Sequence, residues 1–192
     1  MTKTGLFFGS FSPIHIGHLA VANYMAVCTD LEEVWFVVSP QNPLKPTNLL
    51  WDEMFRLELV KIAVEGTPFF SVCDVEYSLP RPSYTIQTLR ALSQHYPQRE
   101  FVLVMGSDSL ADFSHWKDYR QIIANYCRYI YPRPNFSAGV LVGVEATPEN
   151  ARIVEAPQME LSSTFIRQSL AKGLDVRCFV PQQVWPLIKE RY

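Results

Sequence analysis

No two of the four cysteines stand close enough in sequence to suggest a metal knuckle or a redox pair. Cys28, Cys73, Cys127 and Cys178 are scattered, with no C-x-x-C spacing, which suits reduced and mostly buried thiols. No apolar run approaches the ~20 residues of a membrane span. Lys3 is followed by only a short apolar run before Gly9, too short for the hydrophobic region of a secretory leader. Charge of either sign is not in surplus: 17 Lys and Arg stand against 19 Asp and Glu, a formal net charge of −2. That balance argues against a surface built to hold nucleic acid, but it leaves room for a local basic pocket around a small anion. Repeats, low-complexity tracts and long charge runs are missing too. These absences lead us to expect a cytoplasmic protein with neither a membrane nor a nucleic-acid partner. Whether it forms a homo-oligomer stays open.

What is present is an ordinary globular composition. The chain has 192 residues, 48% hydrophobic and 19% charged, enough for a sizeable core and consistent with one domain spanning residues 1–192. Continuous apolar runs at residues 6–8, 34–38 and 101–105 predict strands buried on both faces, and residues 69–75 and 128–131 are further strand candidates. Further short strands are expected at 140–144 and 153–154. Between them lie helical patterns at 17–26, after Asp52 as cap, from 83–85 to about Tyr96, at 110–113 and 119–124, and from 161 to 170. A last helix is expected from Pro181, provided that Pro186 falls in its first turn. Strand, loop and helix alternate, which predicts an α/β fold: a doubly wound, mostly parallel sheet with helices on both faces. The loops at 9–18, 39–45, 106–108 and 132–134 would then share the carboxyl edge, where such sheets bind ligands.

The first of those loops is the most informative: Gly9-Ser-Phe-Ser-Pro-Ile-His15-Ile-Gly17-His18. Two histidines in a loop can simply satisfy hydrogen bonds. A zinc site needs more ligands, and no nearby Cys, Asp or Glu supplies them, so no protein-held metal is expected. An anion site at a helix N-terminus explains the whole string. Unpaired N–H groups and the helix dipole favour negative charge there. Gly9 and Gly17 would admit phosphate oxygens close to the backbone, and the imidazoles could donate to a phosphoryl group as charge builds on it. A second candidate anion site is Leu161-Ser162-Ser163-Thr164-Phe-Ile-Arg167, a helix start with hydroxyl residues at its cap and a guanidinium one turn in.

The first string resembles the H-x-G-H signature of the nucleotidyltransferase superfamily, and Leu161–Arg167 is similar to its I-S-S-T-x-I-R segment. Ser12 stands where the family usually has Asp or Asn before the proline. Several other stretches resemble the nicotinate-nucleotide adenylyltransferase branch. These are Ser39-Pro-Gln-Asn-Pro-Leu44-Lys45, with Leu44 in place of a usual His; Arg56; Pro82-Ser-Tyr84-Thr85 with Thr88-Leu89; Gly106-Ser-Asp108; Trp116; and Arg133-Pro134. The matched segments run from Gly5 to Arg167.

The resemblance implies a Rossmann-like nucleotidyltransferase that moves AMP from ATP to the phosphate of nicotinate mononucleotide. It implies catalytic roles for His15, His18 and Arg167. It implies ATP contacts from Gly9, Ser10, Phe11, Gly17, Gly106, Asp108, Arg133, Leu161, Ser162, Ser163 and Thr164. It gives the mononucleotide to Ser12, Lys45, Arg56, Tyr84, Thr85 and Trp116, with Trp116 beside the pyridine ring. Mg²⁺ would arrive on ATP, held largely by phosphate and water. Two other readings share the signatures. A phosphopantetheine adenylyltransferase is opposed by Pro82–Thr85, Trp116 and the chain length. A nucleotide-binding sensor without turnover is opposed by the intact His15, His18 and Arg167.

Overall fold

The apolar runs become the strands Thr2–Gly9 (β1), Glu33–Val38 (β2), Phe70–Cys73 (β3), Arg99–Gly106 (β4), Cys127–Tyr131 (β5) and Ala151–Ile153 (β6). The structure, a computed structural model, describes residues 1–43, 50–134 and 150–191; the strand expected at 140–144 lies outside them. One sheet has the order β3-β2-β1-β4-β5-β6, and every described pairing is parallel. The order reverses between β1 and β4, so a crevice opens at their carboxyl ends.

The helices are Ile16–Cys28 (α1), Glu53–Val64 (α2), Thr85–His95 (α3), Asp108–Ala111 (α4), Tyr119–Asn125 (α5), Ser163–Ala171 (α6) and Trp185–Arg191 (α7). Asp52 caps α2 as its sequence predicts, accepting from the Phe55 N–H at 2.9 Å. Gly66 follows α2 with φ +79°, a left-handed conformation that glycine adopts without a Cβ clash. The tail departs from expectation. A short turn at Gln182–Val184 precedes α7, which leaves Pro186 in the first turn, where its missing N–H breaks no helical bond.

Alternate strand residues face opposite layers, as the two-residue period requires. Phe7, Phe36, Val38, Val102 and Val104 pack one face against α1, α2, α6 and α7. Leu6, Trp35, Val37, Leu103 and Met105 pack the other against α3, Phe113 and Ile122 of α5. Leu6 and Leu103 are 0% and 1% exposed, so each contributes ~1.5–3 kcal/mol of hydrophobic burial. Among the described residues no helix is long and apolar enough to cross a membrane.

Candidate active site

The loop after β1 is built around two glycines. A Cβ on Gly9 would lie 2.7–2.9 Å from ring atoms of Phe11. Phe11, at φ +44°, folds its ring back over Gly9 and into the core. The ring is 2% exposed and meets His18 edge-on at 5.0 Å and Phe7 at 5.9 Å. Phe11 was expected among the ATP contacts; its side chain instead belongs to the apolar layer. At Gly17 an added Cβ would come within 3.0 Å of the His15 Nδ1, so the glycine makes room for that imidazole.

His15 is the N-cap of α1. Its backbone N–H donates to the His18 Nδ1 at 3.2 Å, and the His18 N–H donates to the His15 carbonyl at 2.9 Å. The two rings stack, with centroids 3.6 Å apart and planes 24° apart. His15 is 2% exposed. Burial, with a smaller push from the Arg133 guanidinium, lowers its pKa to about 3, so the ring is neutral at pH 7. Its Nδ1 is buried without a hydrogen-bond partner among the described residues.

The second signature meets the first across the fold. Ser162 caps α6, its Oγ accepting from the Phe165 N–H at 3.1 Å. The Ser163 Oγ donates to the Pro13 carbonyl at 2.8 Å, and the Arg167 Nη1 donates to the Ser12 carbonyl at 2.6 Å. Arg167 also reaches the Thr164 Oγ1 at 3.3 Å, and Leu161 packs against the core beside them. The histidine loop and the start of α6 are therefore one structural unit. Neither α1 nor α6 carries an acidic residue in its first turn, so both N-termini keep their positive dipole ends unopposed.

Beside this unit β4 ends at Gly106, where a Cβ would collide with the Asp108 carboxylate and come within 3.1 Å of the Arg133 Cγ. Asp108 and Arg133 pair at 3.6 Å, and the Arg133 N–H donates to the Ser107 Oγ at 2.8 Å. Gly106, Asp108 and Arg133 thus come together from two adjacent strands.

Two residues expected at the mononucleotide brace the loops of the crevice. Arg56 is 1% exposed. Its guanidinium donates to the carbonyls of Trp51 (3.0 Å), Ser10 (2.5 Å), Ser39 (2.8 Å) and Pro40 (2.9 Å). It binds the loops after β1 and β2 together, because buried carbonyls need donors and a planar guanidinium can serve several at once. Ser12 is 2% exposed, and its Oγ accepts from the Trp51 N–H at 2.9 Å. Ser10 is also buried, with its Oγ unpaired. Lys45 lies outside the described residues.

Tyr84 is the N-cap of α3 and Thr85 its first residue. Trp116 packs edge-on against Phe113 at 5.2 Å, with its Nε1 buried and unpaired. Sequence reasoning missed Glu76, which is 1% exposed beneath this end of the sheet. It accepts from the Thr88 Oγ1 at 2.8 Å. Burial pushes its carboxyl above the usual range, opposed by Thr88 and by the hydroxyls of Ser39 and Ser83. Nothing in the local sequence signals that cluster, since its members come from four separate segments.

Among the described residues, Ser10 Oγ and His15 Nδ1 in the loop after β1 and Trp116 Nε1 beyond β4 are buried with no hydrogen-bond partner. Native proteins leave few such atoms, and these three follow strands whose carboxyl ends flank the crevice. Among the described residues, no three or more His, Cys, Asp or Glu side chains group as a metal would require.

A parallel sheet with a loop of glycines and paired histidines at its switch point defines a class, and comparison with known proteins narrows it. The sequence profile of the cytidylyltransferase-like family matches residues 6–169. A protein of Bacteroides thetaiotaomicron named a probable nicotinate-nucleotide adenylyltransferase is 50% identical, over 98% of this chain and 91% of its own. One of the same name from Cytophaga hutchinsonii is 47% identical, over 98% and 96%. The structure also superposes on nicotinic acid mononucleotide adenylyltransferase of Plasmodium falciparum complexed with NaAD, with a TM-score of 0.81 at 18% identity, covering 100% of this chain and 97% of the other. The chain belongs to the cytidylyltransferase-like family and, within it, to the nicotinate-nucleotide adenylyltransferases.

Proposed function

We propose that this chain transfers the adenylyl group of ATP to the phosphate of nicotinate mononucleotide, giving deamido-NAD and pyrophosphate. One observation carries this reading: Ser163 and Arg167 of α6 bond the carbonyls of Pro13 and Ser12, so two phosphate-binding helix starts sit at one crevice. A phosphate oxygen of the mononucleotide attacks the α-phosphorus of ATP, and the bond to the bridging oxygen of the β-phosphate breaks, releasing pyrophosphate. The attacking oxygen is already anionic at neutral pH, so no side-chain base is required. The protein's part is in-line placement and stabilisation of developing charge.

His15, His18 and Arg167 serve the transferring phosphoryl group in this reading. A neutral His15 contributes a hydrogen bond rather than a charge; positive charge comes from Arg167, Arg133 and the starts of α1 and α6. The backbone of Gly9–Phe11, with Gly17, Gly106, Asp108 and 161–164, lines the ATP side. Tyr84, Thr85 and Trp116 take the acceptor, the indole providing a flat surface for the pyridine ring. Mg²⁺ enters with the triphosphate.

The test mixes purified protein with ATP, Mg²⁺ and either nicotinate or nicotinamide mononucleotide and follows pyrophosphate. Release with the nicotinate form is expected; none with either acceptor overturns the reading. His18→Ala should lower kcat by ~10²–10³-fold while leaving the melting temperature near the parent's.

A further inference from the structure

Parallel pairing sets the end of β2 beside the end of β3, with Val37 opposite Cys73. Ser39 comes just after the first strand, and the turn Val75–Tyr77, which carries Glu76, just after the second. The start of α3 supplies two more residues, Ser83 before its N-cap and Thr88 three residues into the helix. All four side chains are buried, with Glu76 1% and Thr88 0% exposed.

The Thr88 Oγ1 donates to the Glu76 Oε1 at 2.8 Å. The hydroxyls of Ser39 and Ser83 stand close enough to favour the ionised carboxylate, although the Glu76 Oε2 and the Ser83 Oγ close no hydrogen bond among the described residues. No cation among the described residues pairs with this carboxyl. A buried acid without a cation costs stability that an apolar side chain of the same size would not, so stability alone does not account for it. Its neighbours lead to the crevice from two sides. The Ser39 N–H donates to the Gly9 carbonyl at 3.0 Å, and the Ser39 carbonyl accepts from Arg56 at 2.8 Å. The Ser83 N–H donates to the Gln41 carbonyl at 3.0 Å, and Tyr84 and Thr85 follow directly.

We infer that Glu76 is a positioning residue for the transfer reaction: through Thr88, Ser83 and Ser39 it holds the start of α3 in register with the loops after β1 and β2, so that the acceptor and ATP meet in line. The inference rests on the reading above that Tyr84 and Thr85 serve the acceptor and the histidine loop serves the triphosphate. A carboxylate suits the task because its two oxygens accept from several hydroxyls, whereas an amide has one acceptor oxygen and adds donors of its own. Displacing one loop by ~1 Å is enough to lower an in-line transfer by ~10²-fold.

The experiment measures kcat, KM for nicotinate mononucleotide, KM for ATP and the denaturant midpoint in the parent chain, Glu76→Gln, Thr88→Val and Thr88→Ser. Glutamine keeps the shape of the side chain and is the cheaper group to bury, so the midpoint of Glu76→Gln should not fall. Its kcat should drop about ten- to hundredfold, with the acceptor KM raised and the ATP KM within twofold. Thr88→Val removes the donor from the other end of the same bond and should lower kcat/KM for the acceptor about three- to tenfold. Thr88→Ser, which keeps the hydroxyl, should restore most of it. An active parent whose Glu76→Gln and Thr88→Val variants keep its kcat and acceptor KM overturns the inference and leaves the reaction in place. So does a fall in kcat that only follows the folded fraction with both KM values unchanged, which is the mark of a purely structural residue. If Glu76→Gln does not fold, Thr88→Val against Thr88→Ser decides between the same outcomes. A parent that releases no pyrophosphate removes the underlying reading and this inference with it.

Discussion

At the amino edge of the sheet, Lys3 Nζ lies 2.8 Å from Asp30 and 3.5 Å from Glu100. Arg99 pairs with Glu33 and donates to the Thr4 Oγ1, Trp35 Nε1 donates to Glu33 at 2.8 Å, and Tyr129 bonds Asp30. At the carboxyl edge, Ser10, His15 and Trp116 each bury a polar atom with no partner among the described residues. The amino edge is not perfectly matched, since Arg99 Nε and the terminal nitrogens of Arg128 are unpaired as well. The difference still has a lesson. Strand starts use charge to close the sheet, whereas strand ends bury polar groups without charged partners, at a cost in stability that tertiary bracing must offset.

Arg56 is that brace, and removing it is the severest way to break the comparison. Arg56→Ala strands four buried carbonyls and should destabilise the chain by about 3–5 kcal/mol, read as a fall in the denaturant midpoint. Arg56→Lys should recover little, because a single ammonium cannot serve acceptors in four directions. Near-parent stability in Arg56→Ala would show that the two loops hold without it.

The next effect is a dependence on acidity. The folded chain keeps His15 neutral down to about pH 3, whereas the unfolded chain takes up that proton near its ordinary pKa of ~6.5. The stability linked to this group is therefore whole above pH 6.5 and is lost as pH falls through that window, by up to about 1.4 kcal/mol per pH unit. Between pH 6.5 and 4 the loss should be visible before low-lying carboxylates contribute; Asp30, held down to about 2 by Lys3 and Tyr129, adds its own loss only below its ordinary range. Chemical denaturation across that range in the parent and in His15→Asn should give a flatter profile for the variant. Equal slopes would mean that His15 is protonated in the fold.

The mildest change is Lys3→Met at the amino edge. Its partners are about half exposed, so the expected change is ~0–1 kcal/mol, shrinking further at high salt. Activity should not move. A larger loss would show that the amino edge also depends on a single keystone residue, as the carboxyl edge does on Arg56.

The sheet could be read from the chain because its strands are buried on both faces, which leaves runs such as Val34–Val38 unbroken by polar residues. The histidine loop and Ser162–Arg167 were legible because their residue types are costly to place by accident. The bracing bonds of Arg56 and Ser12 were not legible for a common reason. Each carries a polar group whose partner is a backbone group from a distant segment, and backbone partners leave no trace in residue identity. The inward turn of the Phe11 ring was not legible because the positive φ that produces it belongs to the loop's path, not to its composition. Glu76 was missed because it gains its partner Thr88 from α3, which packs beside it only in the folded chain.

The bonds from Ser163 to Pro13 and from Arg167 to Ser12 join residues about 150 positions apart. During synthesis the histidine loop emerges well before α6, and its two carbonyls have no donor from that helix until it too has left the ribosome. A nascent chain or truncated product ending before residue 163 would hold the loop without its clasp. Assembly of the crevice therefore waits on α6.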